Sequence, residues 1–230
     1  MPAFDIKLLI EFFPVILSAL PVTLKLAGIA AFFGLLFGAL MAVVRVERVP
    51  VLRQLAAFLV SFIRGTPILI QMFVTYYGLP VLLLPLGINI MRADKMLFIY
   101  ITFSLNASAF FSEMIRSAIL GVPRDQWDAA QAIGHTKLQN YLRIIAPQAV
   151  VIAIPSVGVM FVSLLQDTAL TIVMGVWDVL GRAQALGRHS LHLMEAYVDA
   201  AIIFVVLSFA IQQIFAYIEK KTQTKRKREK

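Results

Sequence analysis

The chain has 230 residues, 60% of them hydrophobic and 15% charged, with a mean hydropathy of +0.84. A soluble domain of this size cannot hide that much apolar surface, so the composition places the chain in a membrane. The formal charge of +8 does not point to nucleic acid, because the C-terminal KKTQTKRKREK alone holds seven of the basic residues, as juxtamembrane topology signals do; the lack of cysteine removes disulfides, thiolate metal sites and cysteine nucleophiles.

In chain order, the N-terminal MPAFDIKLLIEFF carries Asp5 and Glu11 and no cleavage-site pattern, so a removable signal peptide is not expected. A span needs about 20 mostly apolar residues. Val15–Val44, Leu55–Tyr77, Met96–Ile115, Ala149–Leu165 (extending past Gln166) and Val198–Ile218 meet that requirement. Val81–Leu86 and Leu170–Val176 are too short and read as parts of connecting loops. The expected fold is therefore an all-α integral membrane protein of about five transmembrane helices. It is read as one transmembrane domain over 1–230, with a polar loop at 122–148 and a basic tail at 219–230.

Five spans put the two ends on opposite sides. With the tail inside, Arg45, Arg48, Arg53, Arg116, Arg124, Lys137, Arg143 and the tail face Lys7, Arg92, Lys95, Arg182 and Arg188 across the membrane. The positive-inside rule then places the N-terminus outside and the 122–148 loop in the cytoplasm of a multi-pass plasma-membrane protein.

That loop, VPRDQWDAAQAIGHTKLQNYLRIIAPQ, is polar and helix-favouring. Pro123 suits a first helical position, and Trp127, Ala130 and Ile133 follow at intervals of three. Gly134 permits a turn. Leu138, Tyr141, Leu142 and Ile145 then form an amphipathic stripe, and Pro147 ends or kinks the helix. Two short helices at an angle are expected, with Trp127 as an interface anchor and small residues at the corner for a partner to approach. A hairpin lying in the lipid interface is the plainer alternative.

Asp128-Ala129-Ala130, Gly134, Ile144 and Pro147 closely resemble the EAA loop of bacterial ABC importer permeases, with Asp128 in place of the usual Glu and Ala146 in place of the usual Leu. SFIRGTPILIQMFVTYYGLP (Ser61–Pro80), SEMIRSAI (Ser112–Ile119) and LLQDTAL (Leu164–Leu170) resemble segments of the subfamily that takes up polar amino acids, with Gln166 where Lys is usual. The resemblance implies an ABC importer type I permease fold. It implies coupling helices, made here by Trp127, Asp128, Ala129, Ala130, Gly134 and Pro147, that seat in an ABC ATPase dimer carrying ATP-Mg. It also implies an extracytoplasmic substrate-binding protein and a second permease chain, identical or paralogous. L-cystine is the first specific substrate it suggests, ahead of glutamine, histidine and arginine.

Charges at membrane depth usually face a bundle interior or an aqueous path. Asp167 can hold the ammonium of an amino acid, with Gln166 beside it, or make an ion pair with Arg64. Arg64, in a Gly-Thr-Pro break, can meet a substrate carboxylate or anchor the kink. Asn106 can line the path or pin two helices. Glu113 and Arg116 are spaced for a local ion pair, and Lys25 for snorkelling. His189 and His192 lack a third ligand nearby and read as a loop or interface pair rather than zinc ligands.

No phosphate loop, G-x-S-x-G elbow or H-E-x-x-H helix is present, so no catalytic residue, metal or cofactor is expected in this chain. The rival reading is a secondary amino acid transporter or channel without an ATPase. It predicts paired broken helices in two matching halves, which the sequence lacks.

Overall fold

The computed structural model describes residues 4–228, with side chains described through 222; most of the basic tail's side chains lie outside that range. All regular structure among the described residues is helical: α1 (Ile6–Leu17), α2 (Leu20–Val46), α3 (Leu52–Arg64), α4 (Ile68–Phe73), α5 (Leu79–Leu83), α6 (Lys95–Leu120), α7 (Arg124–Ala132), α8 (Lys137–Asn140), α9 (Ala146–Asp167), α10 (Val179–Ser190) and α11 (Leu193–Arg228). Five stretches are long and apolar enough to cross a membrane: Leu20–Val46, Ile68–Leu86, Lys95–Leu120, Lys137–Met174 and Leu193–Thr222.

The five-span, all-helical expectation holds, but the borders of the spans move. The expected second span, Leu55–Tyr77, is broken at Arg64-Gly65-Thr66-Pro67. Pro67 has no N–H to continue the ladder, and the Thr66 hydroxyl sits 3.0 Å from the Phe62 carbonyl, closing the end of α3. The crossing segment is Ile68–Leu86 instead. Val81–Leu86, read from sequence as loop, is therefore the end of a span, and Arg64 stands before that span rather than inside it. Likewise Leu170–Met174 completes the Lys137–Met174 span as a tight 3₁₀ turn. The first span starts later than expected because α1 is a separate helix, capped by the Asp5 carboxylate accepting from the Lys7 N–H at 2.8 Å.

The chain forms two compact units, each assembled from three stretches. One comprises the chain through Phe32, Pro67–Ser104 and Phe161–Ile211; the other comprises Phe33–Thr66, Leu105–Met160 and the chain from Gln212. In the first unit, Phe12 and Ile16 of α1 pack on Val179 and Ala183 of α10 and on Ala196, Ala200 and Ile203 of α11. Gly187 lets α10 come close to α11, since a Cβ there would lie 2.9 Å from the Leu193 Cα. In the second, Ala118, Ile119 and Val122 pack on Ile145, Ala149 and Ala153. Gly38 of α2 lies against α6, where a Cβ would meet the Phe111 Cβ at 2.8 Å and the Ser108 carbonyl at 2.9 Å. Small residues at such crossings let backbones approach, which is how helices associate in lipid.

Candidate functional site

The polar loop folds as a hairpin with well-defined local chemistry. Pro123 is the N-cap of α7 rather than its first residue. Gly134, at φ +78, closes α7 in a Schellman turn: its N–H donates to the Gln131 carbonyl at 3.0 Å and the His135 N–H to the Ala130 carbonyl at 3.2 Å. Thr136 then opens α8 with a capping box, reciprocated by Gln139. This Thr-x-x-Gln signal was present in the sequence and was missed.

Pro147 does not end the second helix. The backbone widens into a π turn over Tyr141–Ile145 and runs on through α9, so the hairpin's second arm is the start of a span.

The sequence stripe divides between two faces. Trp127 is half-buried with its ring 5.3 Å from that of Tyr141 in an edge-on contact, and Ala130 and Ile145 are buried. Asp128, Ala129, Gly134 and Pro147 are exposed. So are Ile133, Leu138 and Leu142, each about two-thirds exposed or more. The apolar outward surface of the hairpin therefore comes from Ile133, Leu138 and Leu142, while Trp127 braces it from within.

Contacts from α2 and the turn after it fix the hairpin. The Tyr141 hydroxyl donates to Glu47 at 2.7 Å, and Lys137 lies 3.6 Å from the same carboxylate. Farther along α2, Arg45 meets Glu113 of α6 at 2.8 Å. Glu113 also accepts from Arg116 at 2.8 Å, the local pair expected from spacing, and Arg64 stands 3.9 Å away. Three arginines thus converge on one carboxylate, and only the Arg116 contact was visible in the sequence.

The four candidate substrate residues sit at the end of α3, within α6 and at the end of α9. Arg64 lies over the Phe110 ring at 5.5 Å and with Glu113 lines a cavity of about 500 Å³ that Met114, Ile152 and Ser156 help to enclose. Asn106, one turn before Phe110 on α6, is buried. Asp167 ends α9 half-buried with Gln166 exposed beside it. The carboxylate beside Arg64 is Glu113. Next to Asp167, the Thr168 hydroxyl lies 2.7 Å from the Leu165 carbonyl and 3.3 Å from buried Asp178, a polar node that the sequence did not reveal. His192 is engaged by Glu195 at 2.9 Å and His189 is exposed.

Comparison with known proteins gives this arrangement its context. Residues 34–224 match the family described as binding-protein-dependent transport system inner membrane component. The L-cystine transport system permease protein TcyL of Bacillus subtilis (strain 168) is 36% identical over 219 residues, covering 95% of this chain and 92% of that protein. The putative glutamine transport system permease protein GlnP of Rickettsia conorii (strain ATCC VR-613 / Malish 7) is 35% identical, covering 93% and 96% respectively. The solved structure of an amino acid ABC transporter with histidines is 26% identical with a TM-score of 0.84, covering 96% of this chain and 100% of that one. The chain belongs to the inner membrane components of binding-protein-dependent transport systems.

Proposed function

We propose that the chain is the permease subunit of an ATP-driven importer of polar amino acids, with L-cystine the first candidate substrate, and that its 124–145 hairpin couples the spans to a separate ATPase. The observation that carries the coupling is the exposed apolar surface of Ile133, Leu138 and Leu142 on a hairpin braced by Tyr141 and Glu47. Water-exposed leucines on a rigid protrusion suit a partner's groove better than open solvent.

Because the second arm continues into the span, movement of the docked hairpin shifts the span with it. Such a lever can bias a bundle between inward-open and outward-open states. ATP-Mg is bound and hydrolysed in the partner, which sits on the cytoplasmic side with the hairpin and the tail; the N-terminus is outside. A second permease chain completes the pathway, and an extracytoplasmic binding protein delivers the ligand. Asp167 is offered to the substrate ammonium, with Gln166 and Asn106 as further polar contacts. Arg64 has the contacts of an anchor. Similarity to the cystine permease supports cystine as the first candidate, and similarity to the glutamine relative makes glutamine the next.

The test is purification of the tagged chain from its native membrane beside a Gly134→Asp variant, followed by uptake of labelled cystine, glutamine and histidine by the reconstituted complex. A co-purifying Walker-type ATPase that the variant loses, together with ATP-dependent cystine uptake, is the expected result. Absence of an ATPase from both samples overturns the coupling assignment, and uptake of another amino acid without cystine overturns the substrate.

A further inference from the structure

Where two spans end on the hairpin side, five arginines surround one cavity. It measures about 530 Å³, and Arg45, Arg48, Arg53, Arg116 and Arg124 all line it. Arg45 and Arg116 are already held by Glu113. Arg48, Arg53 and Arg124 have no carboxylate partner among the described residues. Two acids also face the cavity, Glu47 and Asp128. Glu47 is committed to Tyr141 and Lys137, whereas Asp128 is exposed on α7. Even with Glu113 counted, the local balance is positive.

The backbone holds this cluster in place by unusual means. Arg48 sits at φ +54, terminating α2 with the Val49 N–H on the Val44 carbonyl at 3.2 Å. Val51, a β-branched residue, sits at φ +63 and ψ −55, with the Leu52 N–H 2.7 Å from the Pro50 carbonyl. That is a classic γ-turn, a rare and strained conformation. Residues held in such regions tend to cluster where geometry serves binding. Here the turn reverses the chain so that Arg48 and Arg53 face a common space, and the same two arginines also line an adjoining cavity of about 420 Å³.

We propose that this arginine cavity binds the phosphodiester headgroup of an anionic membrane lipid. Guanidinium groups recognise phosphate oxygens in bidentate fashion, and basic pockets at the membrane end of helices suit anionic headgroups. Depth favours a lipid over a soluble anion or an acidic protein segment. Val46 and Leu120, the last residues of two spans, form part of the wall, so the cavity lies at headgroup level. From its mouth an acyl chain has apolar surface to follow: Leu120 is exposed, as are Leu55, Phe58 and Phe62 on α3.

The test uses the full-length chain purified with its native partners, stripped of lipid in mild detergent and titrated with dioleoylphosphatidylglycerol, dioleoylphosphatidylcholine or glycerol 3-phosphate. Bound molecules are counted by native mass spectrometry. Phosphatidylglycerol is expected to bind, phosphatidylcholine at least tenfold more weakly, and glycerol 3-phosphate only at far higher concentration. The combined Arg48→Gln, Arg53→Gln, Arg124→Gln variant is expected to lose at least tenfold in phosphatidylglycerol affinity, while Arg143→Gln, outside the cavity, stays within twofold of the parent. Equal binding of the two lipids by the parent overturns the proposal whether or not the variant folds. So does unchanged binding by a folded variant. Glycerol 3-phosphate binding as tightly as the lipid marks a free-anion site and overturns it too. Phosphatidylglycerol binding that emerges only after the partners are removed assigns the cavity to a protein contact, with the same consequence.

Discussion

The Tyr141 hydroxyl donates a 2.7 Å hydrogen bond to Glu47 across 94 residues of sequence, joining the start of a span to the turn that follows α2. The same ring meets that of Trp127 of α7 in an edge-on contact. One side chain therefore ties both arms of the hairpin to the turn beyond α2.

Tyr141→Phe keeps the ring contact with Trp127 and deletes only the hydrogen bond. A hydrogen bond to a charged group contributes about 1.5–3 kcal/mol. The partial exposure of Glu47, 29%, puts the loss at the lower end, and Lys137, 91% exposed, compensates little. The expected outcome is normal capture of the ATPase but several-fold slower transport per ATP hydrolysed, read in proteoliposomes. Unchanged coupling in a variant confirmed to be folded would show that the bond is ornamental to transport.

Glu113 is shared by Arg45 and Arg116, so the two ends of the network are unequal. Glu113→Gln leaves Arg45, whose side chain is only 14% exposed, next to Arg116 with no carboxylate. Arg116→Gln leaves Glu113 still paired with Arg45. Removing the shared acid is expected to cost about 1–3 kcal/mol, below the range for fully buried pairs because of partial solvation. Removing Arg116 is expected to cost under about 1 kcal/mol. Apparent melting temperatures in one detergent rank the two, and a larger loss for Arg116→Gln would contradict the shared-acid account.

Two glycines on α2 separate close packing from mere composition. At Gly38 a methyl would lie within 3 Å of Phe111 and of the Ser108 carbonyl, whereas at Gly28 nothing stands within 4 Å. Gly38→Ala is expected to destabilise by about 1–3 kcal/mol through forced separation of helices. Gly28→Ala is expected to be neutral or to stabilise by up to about 1 kcal/mol through helix propensity. Thermal unfolding of the pair checks the sign at each position.

The sequence revealed what is local and periodic. Five apolar stretches, the Gly134 turn and the Glu113–Arg116 spacing could all be read, because each depends on residues a few positions apart. Hydropathy averaged across Arg64-Gly65-Thr66-Pro67 merged α3 with the following span, although Leu52, Leu55, Phe58, Leu59 and Phe62 recur at helical spacing on one exposed face, the mark of an amphipathic element rather than a crossing one. Reading Pro67 as a stop would have moved the span to Ile68–Leu86. The Arg45–Glu113 and Glu47–Tyr141 contacts were not legible at all. Their partners are 68 and 94 residues apart, and nothing in a single sequence pairs them. Trp127 reads from sequence as an interface anchor, yet its ring packs on Tyr141 within the hairpin, because periodicity does not say whether an aromatic faces inward or outward.

Asp178 offers a pH-dependent prediction outside the spans. It caps α10, its Oδ1 accepting the Gly181 N–H at 2.8 Å, while Oδ2 lies 3.3 Å from the Thr168 hydroxyl. The residue is fully buried, and burial pushes its pKa up to about 6, against the opposing hydrogen bonds from Gly181 and Thr168. The Thr168 hydroxyl is shared between the Leu165 carbonyl at 2.7 Å and the charged Oδ2 at 3.3 Å; once Oδ2 is protonated, the hydroxyl donates to the nearer carbonyl alone and accepts from Oδ2. A folded-state pKa above the unfolded value means that the native state binds this proton more tightly. The associated stability is fully present below about pH 4, near the unfolded value, and is lost as pH rises through about 6. Asn at this position keeps an oxygen for the Gly181 cap and supplies an N–H₂ donor to Thr168 at every pH. Asp178→Asn is therefore expected to gain stability over the parent as pH rises from 4 to 7, by on the order of 2–3 kcal/mol. Paired melting curves across that window isolate the effect, because all other titrating groups are common to both proteins. A gap between the two that stays constant with pH would mean that Asp178 is charged throughout, held by its hydrogen bonds in spite of burial.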